Sequence, residues 1–236
     1  MGSIVGNDLG NWLAAREFLT RLRDAQDNQV PADFPKTHPI QPILGQWPNP
    51  RQQRSPILAK ILAFFNSDLG QRVVDLEIEA RRAFLDTEAE EAARVAADDR
   101  FAARDPKVEL VKRFIEAGDL VEMNVAGALS GNLAFLTGMS ETVLYGEAMP
   151  TDQLMSDVWA QEEQIRDDST AWLYAYLGLA YAPLTEAELQ SYVDFMESPE
   201  GKRLNGALFI AFNDVFRQVS YDLGRAAGLA IQGTDI

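Results

Sequence analysis

The sequence predicts an all-α fold, a helical bundle with two repeated helix–corner–helix hairpins. Apolar residues recur at helical spacing, most clearly in a wide stripe over residues 204–223. Helix-start signals punctuate the chain, with a serine, threonine or aspartate placed just before a proline or three residues before a glutamate. No segment alternates apolar and polar residues as a half-buried strand would. We therefore expect one all-α domain over residues 57–236, preceded by an N-terminal region, 1–56.

The N-terminal region combines a predicted helix with a proline-rich arm or linker. Residues 8–30 predict an amphipathic helix. Its apolar members are Trp12, Phe18, Leu19 and Leu22. Seven of the eleven prolines, and the only histidine, His38, lie between residues 31 and 56. That density of proline excludes a helix, so we expect this arm to be the least ordered part of the chain.

Five helices are predicted in the first half of the domain, residues 57–140. They run over about 56–66, from Asp68 to about Leu85, from a capping box of Thr87 and Glu90 to about Arg104, from Asp105-Pro106 to Gly118, and from Asp119 to near Gly138. The last of them has a face of small residues, which predicts a close crossing with another helix. These residues are Gly127, Ser130, Gly131 and Ala134.

Four helices are predicted in the second half, residues 150–232. They run over 152–166, from a cap at Asp168 or Ser169 to Pro183, from a capping box of Thr185 and Glu188 to Phe195, and from Ser198 onward. The corner between the last two can be explained residue by residue. The Ser198 hydroxyl suits an N-cap, and Pro199 suits the first helical position. Gly201 costs roughly 1 kcal/mol of helix propensity relative to alanine, which indicates that another backbone passes close to it.

A similar corner occurs at Ser67. Identical residues occupy four aligned pairs of positions, Phe64/Phe195, Ser67/Ser198, Gly70/Gly201 and Arg72/Arg203. We interpret the two corners as copies of an internal repeat. The alternative is that helix corners reuse these residue types without common ancestry. The first corner has Asp68 in place of Pro199, so we expect it to be the looser one.

The second corner also resembles a known family. Leu184-Thr185-Glu186-Ala187-Glu188-Leu189, followed by Phe195-x-Glu197-Ser198-Pro199-x-Gly201-Lys202-x-Leu204, is similar to the bacterial family called domain of unknown function 2059. The resemblance is tightest over 183–229, weaker over 57–86, and extends to 107–137. It implies a helical, two-copy member associated with the cell envelope, with a periplasmic location and no established activity. Members usually begin with an export signal, whereas the first residues here predict none.

Composition excludes several classes of function. The chain carries 21 basic and 36 acidic residues, a net charge of −15, which argues against binding to nucleic acid or anionic membranes. The charge is uneven, at +2 over residues 1–60 and −17 over 61–236. There is no cysteine, which excludes disulfides and thiolate metal sites. The most apolar run, 171–182, is too short for a transmembrane helix.

The sequence predicts no catalytic residue, no metal site and no cofactor. Phosphate-loop, dinucleotide and nucleophile-elbow motifs are absent from the sequence. Weak ligand-site candidates are Asn124, Asn132, Asn205, Asn213, Arg72 and Arg203. We favour hydrogen bonds between helices for the asparagines, with pocket lining as the alternative. The arginines are either anion sites or surface partners of Asp68 and Glu200.

Two classes of function stay open. The first is a non-catalytic helical interaction or structural module of the bacterial cell envelope, which would bind a protein partner or form a homo-oligomer. The second is a binder of a small apolar ligand between helices or, less favoured, a carboxylate-based hydrolase. An interaction module predicts an exposed apolar patch, whereas a ligand binder predicts a cavity.

Overall fold

The computed structural model describes residues 56–142 and 150–233, which form an all-α helical bundle, as predicted. These residues contain nine helices and no strand. The helices are α1 (Pro56–Phe65), α2 (Asp68–Ala83), α3 (Thr87–Ala103), α4 (Pro106–Ala117), α5 (Leu120–Ser140), α6 (Thr151–Trp159), α7 (Glu162–Ala180), α8 (Glu186–Glu197) and α9 (Pro199–Gly233). The predicted N-terminal helix, the proline-rich arm and His38 lie outside the described residues.

The helices form two compact units, each built from separate stretches of chain. Among the described residues, unit 1 contains 56–119 and 171–208, and unit 2 contains 120–142, 150–170 and 209–233. Helices α7 and α9 run from one unit into the other along the chain. The predicted halves, 57–140 and 150–232, therefore each contribute to both units.

The two corners have the same local hydrogen bonds. At the first corner, the Ser67 hydroxyl donates to the Phe64 carbonyl (2.6 Å) and accepts from the Gly70 amide (3.1 Å). At the second, Ser198 donates to Phe195 (2.6 Å) and accepts from Gly201 (3.1 Å). Both serines are thus N-caps, as predicted.

The glycine of each corner faces backbone, as the sequence indicated. A methyl group on Gly70 would overlap the Phe64 carbonyl oxygen and lie 2.6 Å from the Phe65 Cα. One on Gly201 would overlap the Phe195 carbonyl oxygen in the same way. The backbone that each glycine approaches is the last turn of the preceding helix. The Phe64 and Phe195 rings stack on each other, with centroids 4.0 Å apart and planes at 9°.

Three predicted helix ends differ from the observed ones: the starts of α3 and α7, and the end of α6, which lies at Trp159 and not at residue 166. The N-cap of α3 is Asp86, which accepts from the Glu88 amide at 2.9 Å, because a better acceptor precedes Thr87 by one residue. The cap predicted at Asp168 or Ser169 is wrong, since α7 begins at Glu162 and continues through both. The nearby Thr170 hydroxyl bonds back to the Arg166 carbonyl (2.7 Å), and no glycine or proline interrupts this part of the helix.

Other predicted signals are confirmed. Thr185 and Glu188 form a complete capping box at the start of α8. Helix α4 ends at Ala117 with Gly118 as its C-cap, and the left-handed residue that follows is Asp119 (φ 52°). In unit 2, the small-residue face of α5 meets α9 at close range, since an added methyl would lie 2.7 Å from Asn213 at Gly127 and 3.3 Å from Ser220 at Gly131. A methyl on Gly138, further along α5, would overlap the Tyr221 carbonyl oxygen.

Each unit has its own core. The most deeply buried side chains of unit 1 include Ile61, Val73, Leu184, Leu189 and Val193. In unit 2, Val125 and Leu129 of α5 pack with Val158 of α6. No helix of the described residues combines the length and the apolar character that crossing a bilayer requires.

Candidate functional site

A buried carboxyl group lies at the centre of unit 1. Glu77 is on α2 and is only 2% exposed. It lies four residues after Val73 and three before Ala80, on the face of α2 that enters the core. Helical periodicity therefore places an acidic side chain where an apolar one is expected.

Three tyrosines surround Glu77. The hydroxyls of Tyr181 and Tyr192 donate to its Oε1 at 2.6 and 3.0 Å, and Tyr176 donates to its main-chain carbonyl at 2.9 Å. The second carboxyl oxygen, Oε2, is buried and has no hydrogen-bond partner. One turn further along α2, the Arg81 guanidinium carbon lies 4.6 Å from the ring centroids of both Trp172 and Tyr176.

The surroundings of Glu77 shift its ionisation strongly. Burial raises the pKa of Glu77 from 4.5 to about 7, against the lowering effects of the Tyr181 and Tyr192 hydrogen bonds and of Arg81. Burial also raises the pKa of Tyr181 and of Tyr192 well above 10, and the neighbouring Glu77 adds to this. The tyrosines are therefore hydrogen-bond donors at neutral pH, whereas Glu77 titrates near neutrality.

A cavity of about 120 Å³ adjoins this cluster in unit 1 and is partly open to solvent. Tyr181 belongs both to its wall and to the hydroxyl pair on Glu77. The wall also contains Phe101 and Tyr174, whose rings meet edge to face at 4.9 Å. Glu77 itself is not part of the wall, so its carboxyl does not contact the cavity.

The cavity wall carries charged groups as well as aromatic ones. Arg100 of α3 lines it, and the Arg100 Nη1 is buried with no hydrogen-bond partner. Lys107 donates to the Ala182 carbonyl at 2.9 Å, and Asp105 accepts from the Lys107 amide at 2.9 Å. The wall thus has two basic groups and one acidic group, in a chain of net charge −15.

A second feature of interest is an apolar row on α9, within unit 2. Val219 and Leu223, one turn apart, are 54% and 58% exposed. Phe212 and Phe216 continue the row at helical spacing and are half-buried. The side of α9 that meets α5 is a different one, since a methyl on Gly224 would overlap the Phe135 carbonyl oxygen. We call these four residues the α9 apolar row.

The predicted ligand-site candidates do not form one cluster. In unit 1, Arg72 donates to Glu188 (2.6 Å) and to the Pro183 carbonyl (2.8 Å), instead of pairing with Asp68. The carboxylate of Glu188 lies at the start of α8, where the capping box holds it in place for Arg72.

Arg203 also lacks its predicted partner. It is exposed, and Glu200 binds Lys60 instead, at 2.7 Å. Asn205 donates to the Gly118 carbonyl (2.5 Å), at the end of α4. This hydrogen bond is of the helix-linking kind that we favoured for the asparagines.

The remaining asparagine candidates lie in unit 2 and differ in their contacts. Asn132 donates to the Gln161 side chain at 3.2 Å, which links α5 to the turn before α7. Asn124 donates to the Leu120 carbonyl of its own helix at 2.7 Å. The Asn213 Oδ1 packs against Gly127, where an added methyl would lie 2.7 Å from it.

Sequence reasoning missed the Glu77 cluster. The available signal was the spacing of Val73, Glu77 and Ala80, which puts a carboxyl on an apolar face. The tyrosines that satisfy it lie about 100 residues away along the chain, so no local pattern indicates the pairing. Within the described residues, no group of three or more histidine, cysteine or acidic side chains could hold a metal ion.

One family model matches the segment that contains the first corner. Residues 56–99 match the model of a family described as "Uncharacterized protein conserved in bacteria (DUF2059)". Over these residues, the resemblance predicted from the sequence is confirmed. The matched segment covers α1, α2 and most of α3, and so contains Glu77 and the first corner. The second corner, where the sequence suggested the tightest resemblance, lies outside it, and the second copy stays a prediction.

No curated protein and no solved structure matches the chain.

Proposed function

We propose that the protein is a non-catalytic helical interaction module of the bacterial cell envelope. In this proposal, the α9 apolar row binds a basic, amphipathic segment of a protein partner. The observation that carries it is the exposure of Val219 and Leu223 side by side on a helix whose neighbouring side is already packed. Contiguous exposed apolar residues favour a binding surface, and single ones do not.

The helical spacing of the row favours a helical ligand. Residues 212, 216, 219 and 223 follow one another by four, three and four positions, so they form a continuous strip along α9. Such a strip pairs with an amphipathic segment that presents its own apolar residues every three or four positions.

Charge favours a basic partner over a second copy of this chain. The described residues of unit 2 contain ten acidic and three basic side chains, a net charge of −7. Two of the three basic groups are engaged, since Arg166 binds Glu122 and Glu162, and Arg217 lies 3.3 Å from Asp214. A second copy would bring the same excess of negative charge, whereas a basic segment would be attracted.

The envelope part of the proposal is supported by the resemblance to the family. The non-catalytic part is supported by the position of Glu77 away from the cavity wall, since the pKa of this carboxyl is the most strongly shifted among those of the described residues. A hydrolase needs its carboxylate within reach of the substrate.

The test places a photo-reactive amino acid at position 219 in the native bacterium. The matched control position is 95, because Val95 in unit 1 is the same residue type and is 53% exposed. We expect position 219, and not 95, to cross-link to one protein with a basic segment. Binding of that purified segment should then weaken at least about tenfold in Val219→Asp and Leu223→Asp, and stay unchanged in Val95→Asp.

Three outcomes would overturn the proposal. They are cross-links from position 219 to a second copy of the chain, cross-links to residues 1–55 of the same chain, and equal binding by Val219→Asp and Val95→Asp. A higher salt concentration should also weaken the binding, because attraction between exposed charges is screened.

A further inference from the structure

We infer that the cavity of unit 1 is a binding site for a small organic monocarboxylate, with Arg100 as its anion-binding residue. The site is separate from the α9 apolar row, and the inference does not depend on the proposed function. Three observations carry it: a buried guanidinium nitrogen with no hydrogen-bond partner, two basic groups against one acidic group in the wall, and an aromatic pair beside them.

Arg100 is held in place without an anionic partner. Its Nη1 is buried and unpartnered, and no other nitrogen of its guanidinium donates to a described residue. The group rests on Gly178 of α7, where an added methyl would lie 2.8 Å from Nη1. Buried polar groups are nearly always hydrogen-bonded, and a guanidinium donates two parallel hydrogen bonds to a carboxylate. A bound carboxylate would supply the missing acceptor.

The rest of the wall fits the organic part of such a ligand. Phe101 and Tyr174 provide aromatic surface, and Val108 provides aliphatic surface. Lys107 uses one of its three donors on the Ala182 carbonyl and keeps two for an anion. The volume of about 120 Å³ is somewhat smaller than the roughly 150 Å³ that encloses benzene in an engineered protein cavity. We therefore expect a branched short-chain or aromatic carboxylate with part of its surface exposed, and not a fatty acid.

The test uses two carboxylates, isobutyrate and benzoate, and their uncharged amides, isobutyramide and benzamide. Isothermal titration calorimetry and amide chemical-shift changes on the full chain measure the binding. We expect at least one carboxylate to bind, and its amide to bind at least about tenfold more weakly, because the amide has no charge and one acceptor oxygen in place of two. The shifted amides should include those of residues 178 and 108.

Variants separate the guanidinium from the cavity shape. Arg100→Gln should weaken carboxylate binding at least about tenfold and weaken amide binding much less, since the amide carries no charge. Arg94→Gln is the matched control, because Arg94 lies on the same helix, pairs with Glu90 and is not in the wall. Val108→Phe, which fills the cavity, should weaken both ligands. The thermal midpoint of each variant without ligand shows whether it is folded, and Arg100→Met, which also removes the charge, replaces Arg100→Gln if the latter is not.

Two results would overturn the inference. One is that neither carboxylate binds at about 10 mM. A dissociation constant above about 10 mM is too weak to indicate a specific site. The other is that Arg100→Gln and Arg94→Gln bind a carboxylate equally well, which would assign the binding to the general charge of the protein.

Discussion

At the scale of single residues, Glu77 combines deep burial with a titration near neutral pH. The pKa of the carboxyl is raised to about 7. Burial disfavours the ionised form more strongly than the two tyrosine hydroxyls and Arg81 favour it. The folded protein therefore holds this proton more tightly than the unfolded chain, whose glutamate has a pKa of about 4.5. The resulting stabilisation is complete below about pH 4.5 and is lost as the pH rises through about 7.

This gives a prediction for Glu77→Gln, which removes the titration. The free energy of unfolding of the wild type, relative to the variant, should fall by about 3 kcal/mol between pH 4.5 and pH 8, since each unit of pKa shift is worth about 1.4 kcal/mol. Urea unfolding at several pH values measures it. Glu79→Gln is the matched control, because Glu79 is on the same helix and exposed. A wild type and a Glu77→Gln variant with the same pH dependence would contradict the prediction.

Other carboxylates do not obscure this comparison. Three other carboxylates have a lowered pKa, namely Glu122, Glu188 and Glu200. The main causes are hydrogen bonds from Arg166, Thr185 and Lys60, respectively. Their stabilisation is present above about pH 4.5 and is lost as the pH falls, which is the opposite sign. Because they are unchanged in the variant, their contribution cancels in the difference.

Single residues also show what sequence reasoning can identify. It identified Ser198 and Gly201 correctly, because a cap and a close backbone contact depend on neighbours within a few positions. It did not identify Glu77 or Arg100. The partners of Glu77 and the contact of Arg100 with Gly178 are far along the chain, and an acidic or basic residue on a helix is ordinarily exposed.

At the scale of helices, the two corners carry a prediction about stability. Ser198→Ala should lower the free energy of unfolding by about 1 kcal/mol, since it removes the N-cap of α9. Gly201→Leu should cost more, because its side chain would overlap the Phe195 carbonyl. Gly206→Ala is the control, since an added methyl there meets nothing within 4 Å and improves helix propensity. An unharmed Gly201→Leu variant, measured by urea unfolding, would show that the close approach at this corner does not matter.

Helix boundaries were predictable where a side chain closes the first turn. The capping box of Thr185 and the caps at Ser67 and Asp105 are examples. The boundary between α6 and α7 was not, because Asp168 and Ser169 look like caps but lie inside a helix. Arg166 binds Glu162 within α7 and Glu122 of α5, and such a pairing with another helix of unit 2 cannot be read from local sequence.

At the scale of the whole molecule, helical periodicity predicted the fold class. It did not predict which stretches of the chain form each of the two units. Unit 2 joins residues 120–142 and 150–170 to 209–233, so its core depends on contacts between distant stretches. The small residues of α5 predicted a close crossing without naming the partner helix. Periodicity says which face of a helix is apolar, and not which helix covers it. For the same reason, the α9 apolar row was predicted as a stripe while its exposure was not.

The net charge of the whole chain predicts which anionic partners the protein does not bind. With a net charge of −15, the protein should bind neither duplex DNA nor vesicles rich in anionic phospholipid at physiological salt, because both repel an acidic surface. Gel-shift and vesicle flotation experiments measure this. Any affinity should come from residues 1–60, which carry a net +2, and should disappear when 1–55 are deleted. Binding that persists in the shortened chain would contradict the charge argument. A comparison of vesicle binding by the wild type and by Val219→Asp separates binding through charge from binding through apolar contacts. Only binding through apolar contacts uses the α9 apolar row.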